Sequence, residues 1–271
     1  MSRLKAHLES IAAAGEKALG MFITSGFPDL DATPDLLRAI DAGGADFIEL
    51  GMPFSDPLAE GIPIQRSSER ALAAGVTMRQ TLEYAADFTA SSDTPLLLMG
   101  YGNPVMRYGI DRFFEEARTA GVQGVILPDV LPAPDSPFFR AAAAHGVDTV
   151  CLVSPTTPQE RVTYIDELSS GFVYAVSVTG VTGTDKGDAK PIQDYLRRIR
   201  PAVSRNALLV GFGIRSAEDV ASMVAETDGA IVGSALVNLV AACWDDSDLP
   251  HAQRLERVEA FVRELKSGTS S

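Results

Sequence analysis

The chain predicts an α/β fold, a (β/α)8 barrel, on three observations. Eight short apolar runs alternate with segments of helical character, no Ser/Gly linker divides them, and 271 residues is a length at which such barrels form one domain. Alternation of this kind calls for a parallel sheet covered by helices, and eight repeats favour closure over the alternative, a doubly wound open sheet. One domain is therefore expected over residues 1–271, with an extra N-terminal helix, a short extra helix after the eighth strand, and a disordered tail near 267–271.

The opening MSRLKAHLESIAAAGEKALG carries charges every few residues and no apolar stretch of signal-peptide length, so it reads as an amphipathic helix. Residues 18–24 form the first strand. Thr33 and Pro34 mark a helix start, because proline in the first turn forfeits a donor that has no partner there. Residues 47–50 form the second strand, and two helices divided at Gly75 follow, the second opened by a Thr77/Gln80 capping box. Residues 95–99 are the third strand, followed by a Gly/Tyr/Asn loop and a helix over 110–120. Residues 124–127 are the fourth, with a helix over 134–144. Residues 149–153 make the fifth strand, and Thr157, Pro158 and Glu160 open the next helix. Residues 173–178 are the sixth, separated by TGVTGTDKGDAK from a helix near Pro191. Residues 208–211 and 230–232 complete the set, with Ser216 capping the helix between them. Helices over 234–243 and 251–266 close the chain.

Composition is that of an ordinary soluble globule, 46% hydrophobic and 22% charged. A net charge of −13 argues against nucleic acid or an anionic membrane surface as partner. No stretch reaches the roughly 18 apolar residues of a membrane span. Cys151 and Cys243 read as small buried hydrophobes in a reduced compartment, so a cytoplasmic location is expected. His7, His145 and His251 are scattered on helices without ligand spacing, and no metal site is expected.

Residues 47–65, FIELGMPFSDPLAEGIPIQ, hold the chemistry. An apolar strand carries Glu49 near its end, where an unpaired ionised carboxylate is costly and its pKa is driven up. Pro53, Pro57, Gly61 and Pro63 then enforce an irregular loop that bears Glu60. Two such carboxylates suit general acid and base work. Spacing alone leaves the alternative open, a salt-bridged Glu49 under a merely long connection.

A phosphate in a barrel of this kind commonly sits between the loops after strands seven and eight. Gly211, Phe212 and Gly213 follow the seventh strand, Gly233 and Ser234 follow the eighth and open a helix, and Gly183 lies in the loop after the sixth. Glycine admits close backbone approach, and the first amides of a helix attract an anion. Phe22, Ile64, Met99, Tyr101, Ile126, Tyr174 and Phe212 stand at strand ends or loop starts, where an apolar half-site would form.

ELGMPFSDPLAEGIPIQ, the GVTG loop and GFGI followed by GSA together resemble the tryptophan synthase alpha subunit family, whose signature reads roughly ELG-x-PFSDPLADGP-x-IQ. The resemblance covers essentially the whole chain. It implies a lyase without cofactor that cleaves indole-3-glycerol phosphate to indole and glyceraldehyde 3-phosphate. By it, Glu49 is the main acid and base, and Glu60 stands where the family has Asp. Phe22, Ile64, Tyr174 and Phe212 line the indole and glycerol pocket, to which the position of Tyr101 after the third strand adds it as a further substrate-binding candidate, while Gly183, Gly213, Gly233 and Ser234 hold the phosphate. Thr182 closes a lid toward the loop acid. The resemblance also implies a pyridoxal-phosphate beta subunit as partner in an α2β2 tetramer, faced by Asp56, Asn103, Asp129 and Pro132.

The chain departs from the family pattern at three places: Glu60, Ile62 where proline is common, and Val178 where many members have arginine. One extra methylene at position 60 shifts a carboxylate by about 1 Å, a displacement that can cost on the order of 100-fold in rate. Two readings therefore compete with the lyase: a weakened barrel kept as an allosteric partner of the beta subunit, and another phosphate-binding barrel enzyme of the same pathway.

Overall fold

Eight strands close in chain order into a parallel barrel in the computed structural model, which describes residues 2–176, 190–211 and 213–270. They are β1 (Ala18–Thr24), β2 (Phe47–Gly51), β3 (Leu96–Met99), β4 (Gly124–Ile126), β5 (Asp148–Val153), β6 (Phe172–Val176), β7 (Ala207–Gly211) and β8 (Gly229–Val232). Each expected strand is present, its ends within two residues of those expected among the described residues; residues 177 and 178, expected to end the sixth, lie outside them. The pairing of β1 with both β2 and β8 completes the ring.

The barrel interior is filled by matching large side chains to glycines. A side chain at Gly20 would collide with the Phe47 ring, one at Gly51 with Phe22, and one at Gly211 with the Tyr174 hydroxyl. The three glycines lie on different strands, so each aromatic ring leans into a gap that its neighbour vacates. Phe47, Phe172 and Tyr174 form a chain of rings at centroid separations of 5.5 and 5.9 Å, which runs along the interior toward the carboxyl ends of the strands.

Twelve α-helices lie among the described residues. α1 (Arg3–Ala13) precedes the barrel, and its Leu4 is fully buried beside Gly171. α2 (Ala32–Ala42) begins just before the expected start, because Thr33 is buried and its hydroxyl accepts from the Gly26 amide at 2.9 Å. α3 (Ile62–Ala73) and α4 (Met78–Thr89) follow β2, and the Thr77/Gln80 capping box forms at α4 as the sequence predicts. The sequence missed α5 (Gly102–Tyr108), which occupies the start of the stretch read as a loop after β3. The Asp129 carboxylate accepts from the Gly102 amide at 2.9 Å and so satisfies a helix-start donor that no local residue caps.

α6 (Ile110–Thr119) and α7 (Pro137–His145) flank β4, and α7 starts three residues later than expected, after an irregular segment rich in proline. α8 (Gln159–Leu168) does begin at the expected place, but Thr157 does not cap it. The Thr157 hydroxyl turns back to accept from the Ser154 amide at 3.0 Å. α9 (Lys190–Ile199) precedes β7, and α10 (Ala217–Val224) follows it, with Ser216 accepting from the Asp219 amide.

The extra helix after β8, α11 (Ser234–Asp245), is longer than expected at 12 residues. α12 (His251–Ser267) packs across α2 and α11. The tail expected to be disordered from 267 is instead packed as far as Thr269. Ser267 is helical, Gly268 lies against the Ala217 backbone, and Thr269 is buried. No helix among the described residues is long and apolar enough to cross a membrane.

Candidate active site

Glu49 sits in the middle of β2, with Phe22 of β1 and Leu97 of β3 as its register partners. It is 0% exposed, and neither carboxylate oxygen has a hydrogen-bond partner among the described residues. The strand needs an apolar run to be buried on both sides, and this run delivers an acid into the barrel with nothing among the described residues to neutralise it. Burial, and secondarily the charge of Glu60, push its pKa up to about 8. The salt bridge left open by spacing does not form among the described residues.

Glu60 is half-buried on the loop after β2, and burial pushes its pKa up to about 7. Its backbone is tied at both ends: the Glu60 amide donates to the Pro57 carbonyl at 3.1 Å, and the Gln65 side-chain amide donates to the Glu60 carbonyl at 2.9 Å. One residue earlier, the Ala59 amide donates to the Tyr101 hydroxyl at 2.9 Å, and the Tyr101 ring lies 5.1 Å from that of Phe54. A loop whose prolines remove its own ladder donors is thus held by side chains from α3 and from the end of β3.

Phe22, Ile64 and Tyr101 converge with Glu60 on one small cavity at the carboxyl ends of the strands. Tyr174 is buried, and its pKa is raised well above the ordinary phenol value by burial, with Glu49 and Glu60 as further causes, which places it in the field of both acids. Gly233 joins the same group, since its Cα faces Ile64 and Phe22.

Ser234 is half-buried at the first position of α11, where helix geometry leaves the leading amides without intrahelical acceptors. Gly213 adopts φ +55° with open space where a side chain would stand, a conformation that glycine alone takes without strain. Phe212, Val178, Thr182 and Gly183 lie outside the described residues.

Of the residues expected to face a partner, Asp56 and Asn103 are exposed, Pro132 is half-buried, and Asp129 is exposed while tethering α5. Asp56 accepts from the Ser55 hydroxyl at 2.5 Å. Met99 is buried and lines the cavity, whereas Ile126 is buried without lining it.

Sequence reading missed Thr24, Met52, Pro57, Ser68 and Gly100 among the cavity walls. Ser68 was within reach of a pattern argument, because it stands one helical turn after Ile64 on the same face of α3. The three histidines each bond a backbone or carboxylate oxygen: His7 to the Asp46 carbonyl, His145 to Asp111 and His251 to Asp35. No group of three or more potential metal-ligating side chains occurs among the described residues.

A buried acid with no hydrogen-bond partner among the described residues lies in the field of a second acid on a tethered loop; the second acid shares a small cavity with Phe22, Ile64 and Tyr101, Glu49 itself stays behind the cavity wall, and Gly233 at the start of α11 approaches Phe22 and Ile64. Such a set can give a proton to an apolar substrate and hold an anion beside it. Comparison with known proteins identifies the family. The family model described as tryptophan synthase alpha chain matches residues 8–270. The chain is 43% identical over 271 residues to the tryptophan synthase alpha chain of Geotalea uraniireducens, covering 100% of this chain and 99% of that one. It is 45% identical over 268 residues to that of Acidithiobacillus ferrooxidans, covering 98% of each.

Among solved structures it resembles tryptophan synthase subunit alpha from Legionella pneumophila, with TM-score 0.90 at 34% identity, covering 99% of this chain and 98% of that one. A tryptophan synthase chain from Mycobacterium tuberculosis matches with TM-score 0.88 at 35% identity, over 100% of this chain and 99% of that one. The match spans the whole barrel, including both acids and the loops that carry them, and the chain belongs to the tryptophan synthase alpha chain family.

Proposed function

We propose that this alpha chain is a carbon-carbon lyase that cleaves indole-3-glycerol phosphate to indole and glyceraldehyde 3-phosphate, with Glu49 and Glu60 as its catalytic residues. The observation that carries the reading is Glu49, a fully buried carboxyl with no hydrogen-bond partner among the described residues and a pKa pushed up to about 8, which keeps it protonated at neutral pH. The bond from ring C3 to the side chain breaks only after C3 is protonated. Glu49 supplies that proton. Its carboxylate then takes the proton of the side-chain hydroxyl, the electrons of the breaking carbon-carbon bond return to the ring, and indole leaves with the aldehyde. Glu60, ionised, offsets the positive charge that develops at the ring nitrogen.

Phe22, Ile64, Tyr101, Tyr174 and Phe212 enclose the ring and glycerol chain in this proposal. Gly183, Gly213, Gly233 and Ser234 bind the phosphate through backbone donors and the serine hydroxyl, and Thr182 closes over the substrate. The partner is a tryptophan synthase beta subunit in an α2β2 tetramer. Asp56, Asn103, Asp129 and Pro132 face it, and the exposed Leu58, Met106 and Leu131 on the loops and helix after β2, β3 and β4 supply apolar contact area. The reaction is assigned to the cytoplasm, where the free thiols Cys151 and Cys243 stay reduced.

Indole release from indole-3-glycerol phosphate tests the assignment. Glu49→Gln is expected to abolish it, and Glu60→Ala to lower it by about 100-fold or more. An unchanged rate in Glu60→Ala would remove Glu60 from the mechanism. A parent chain that releases no indole yet accelerates a beta subunit would favour the allosteric reading. Sedimentation of the mixed subunits checks the stoichiometry.

A further inference from the structure

A second cavity, of about 210 Å³, lies outside the barrel wall between β4 and β5 on one side and α6, α7 and α8 on the other. It exists because α7 and α8, neighbours in the helical ring, barely touch each other. α7 is only nine residues long and enters late, and the irregular segment before it roofs the gap. The consequence is visible on β5: Thr149 is only half-buried, while β1 to β4 are buried at every position.

The walls are aromatic and aliphatic, with Phe114, Phe138, Phe139 and Ile165 among them, and the one charged residue in the lining is Arg161 of α8. Arg161 is half-buried and lies over the Tyr164 ring at 4.7 Å. Its guanidinium reaches the Pro132 carbonyl only at 3.5 Å and enters none of the ion pairs among the described residues. A guanidinium at the cleft wall with one long neutral contact has donors left to give, and a planar carboxylate is the group that satisfies two of them at once. Dry cavities of about 150 Å³ take up a benzene ring, so this one has room for a ring and a small substituent.

We propose that this cleft is a binding site for a small aromatic carboxylate of benzoate size, its ring among the phenylalanines and its carboxylate on Arg161. The site is remote from Glu49 and Glu60 and independent of the lyase assignment.

Sodium benzoate titrated into the methyl-labelled full chain, followed by NMR, tests it. Saturable shifts are expected at the methyls of Val125, Val130 and Ile165, which line the cleft. Benzamide, which has the same shape without the charge, should bind about tenfold more weakly, and Arg161→Met should weaken benzoate by about tenfold while leaving benzamide within about twofold. No saturable shift at those methyls overturns the proposal. Equal affinity for benzoate and benzamide in the unmodified chain does so as well, even if the variant does not fold. Shifts confined to Ile64 and Val232 at the barrel mouth would likewise assign the ligand to the other site and overturn it.

Discussion

Glu49 couples stability to pH, and under the proposed function the same titration enters the chemistry. Its folded-state pKa, about 8, lies above the ordinary 4.5. An unfolded chain therefore loses the proton at lower pH than the native one. The stabilising contribution of the neutral acid is complete below about pH 4.5 and is lost as pH rises through about 8. Glu49→Gln cannot ionise, so its melting temperature should exceed that of the parent by a margin that is small at pH 5 and large at pH 9. The full linkage is on the order of 5 kcal/mol, an upper bound for the measured gain.

If the proposed roles hold, the same two acids set the rate profile. Glu60 must ionise near pH 7 while Glu49 keeps its proton until about 8, so kcat/KM should trace a narrow bell with its maximum between those values. Glu60→Gln should remove the acidic limb of whatever activity remains. A monotonic profile in the parent would separate the measured titrations from these two side chains.

At the scale of elements, the loop after β2 and the helix that follows it behave as one unit. Pro53 and Pro57 deny the loop regular pairing, Pro63 sits in the first turn of α3, and the loop is steadied by the Ala59 to Tyr101 and Gln65 to Glu60 hydrogen bonds. Tyr101→Phe keeps the ring stacked near Phe54 but leaves the Ala59 amide without its acceptor, at a cost of about 1 kcal/mol. The expected outcome is a loss of several-fold in kcat with little change in global melting temperature, since the loop rather than the barrel is loosened. α5 is a related case in which an element's start is capped from another loop. Asp129→Ala should fray it, which hydrogen exchange at the amides of α5 would detect as faster exchange.

For the whole molecule, closure of the barrel depends on aromatic rings filling spaces that glycines leave. Gly20→Ala puts a methyl where the fully buried Phe47 ring lies, and a ring flanked by Phe172 has little room to retreat. Overpacking of this kind costs about 1–3 kcal/mol, so thermal unfolding should begin several degrees lower. Because the ring chain continues to Tyr174, the same variant is also expected to raise KM for the phosphate ester. A variant with lowered melting temperature and unchanged KM would show that strain in the barrel floor does not reach the site.

The sequence by itself determined the fold class and the order and near-boundaries of the strands, and it singled out two acids as candidates, because these depend on local pattern: apolar runs of strand length, punctuation by glycine and proline, and a carboxylate set within an apolar strand. It also placed the α4 capping box and the Ser216 cap, whose partners lie within four residues. What only the tertiary structure decided are matters of contact between distant segments. These include the unpaired state of Glu49, the tether from Tyr101, α5 started by Asp129, the buried end of α12, and the cleft left where α7 and α8 stand apart. Each depends on which side chains the closed barrel brings within bonding distance across tens of residues, and that distance is a property of the packed chain and not of any stretch within it.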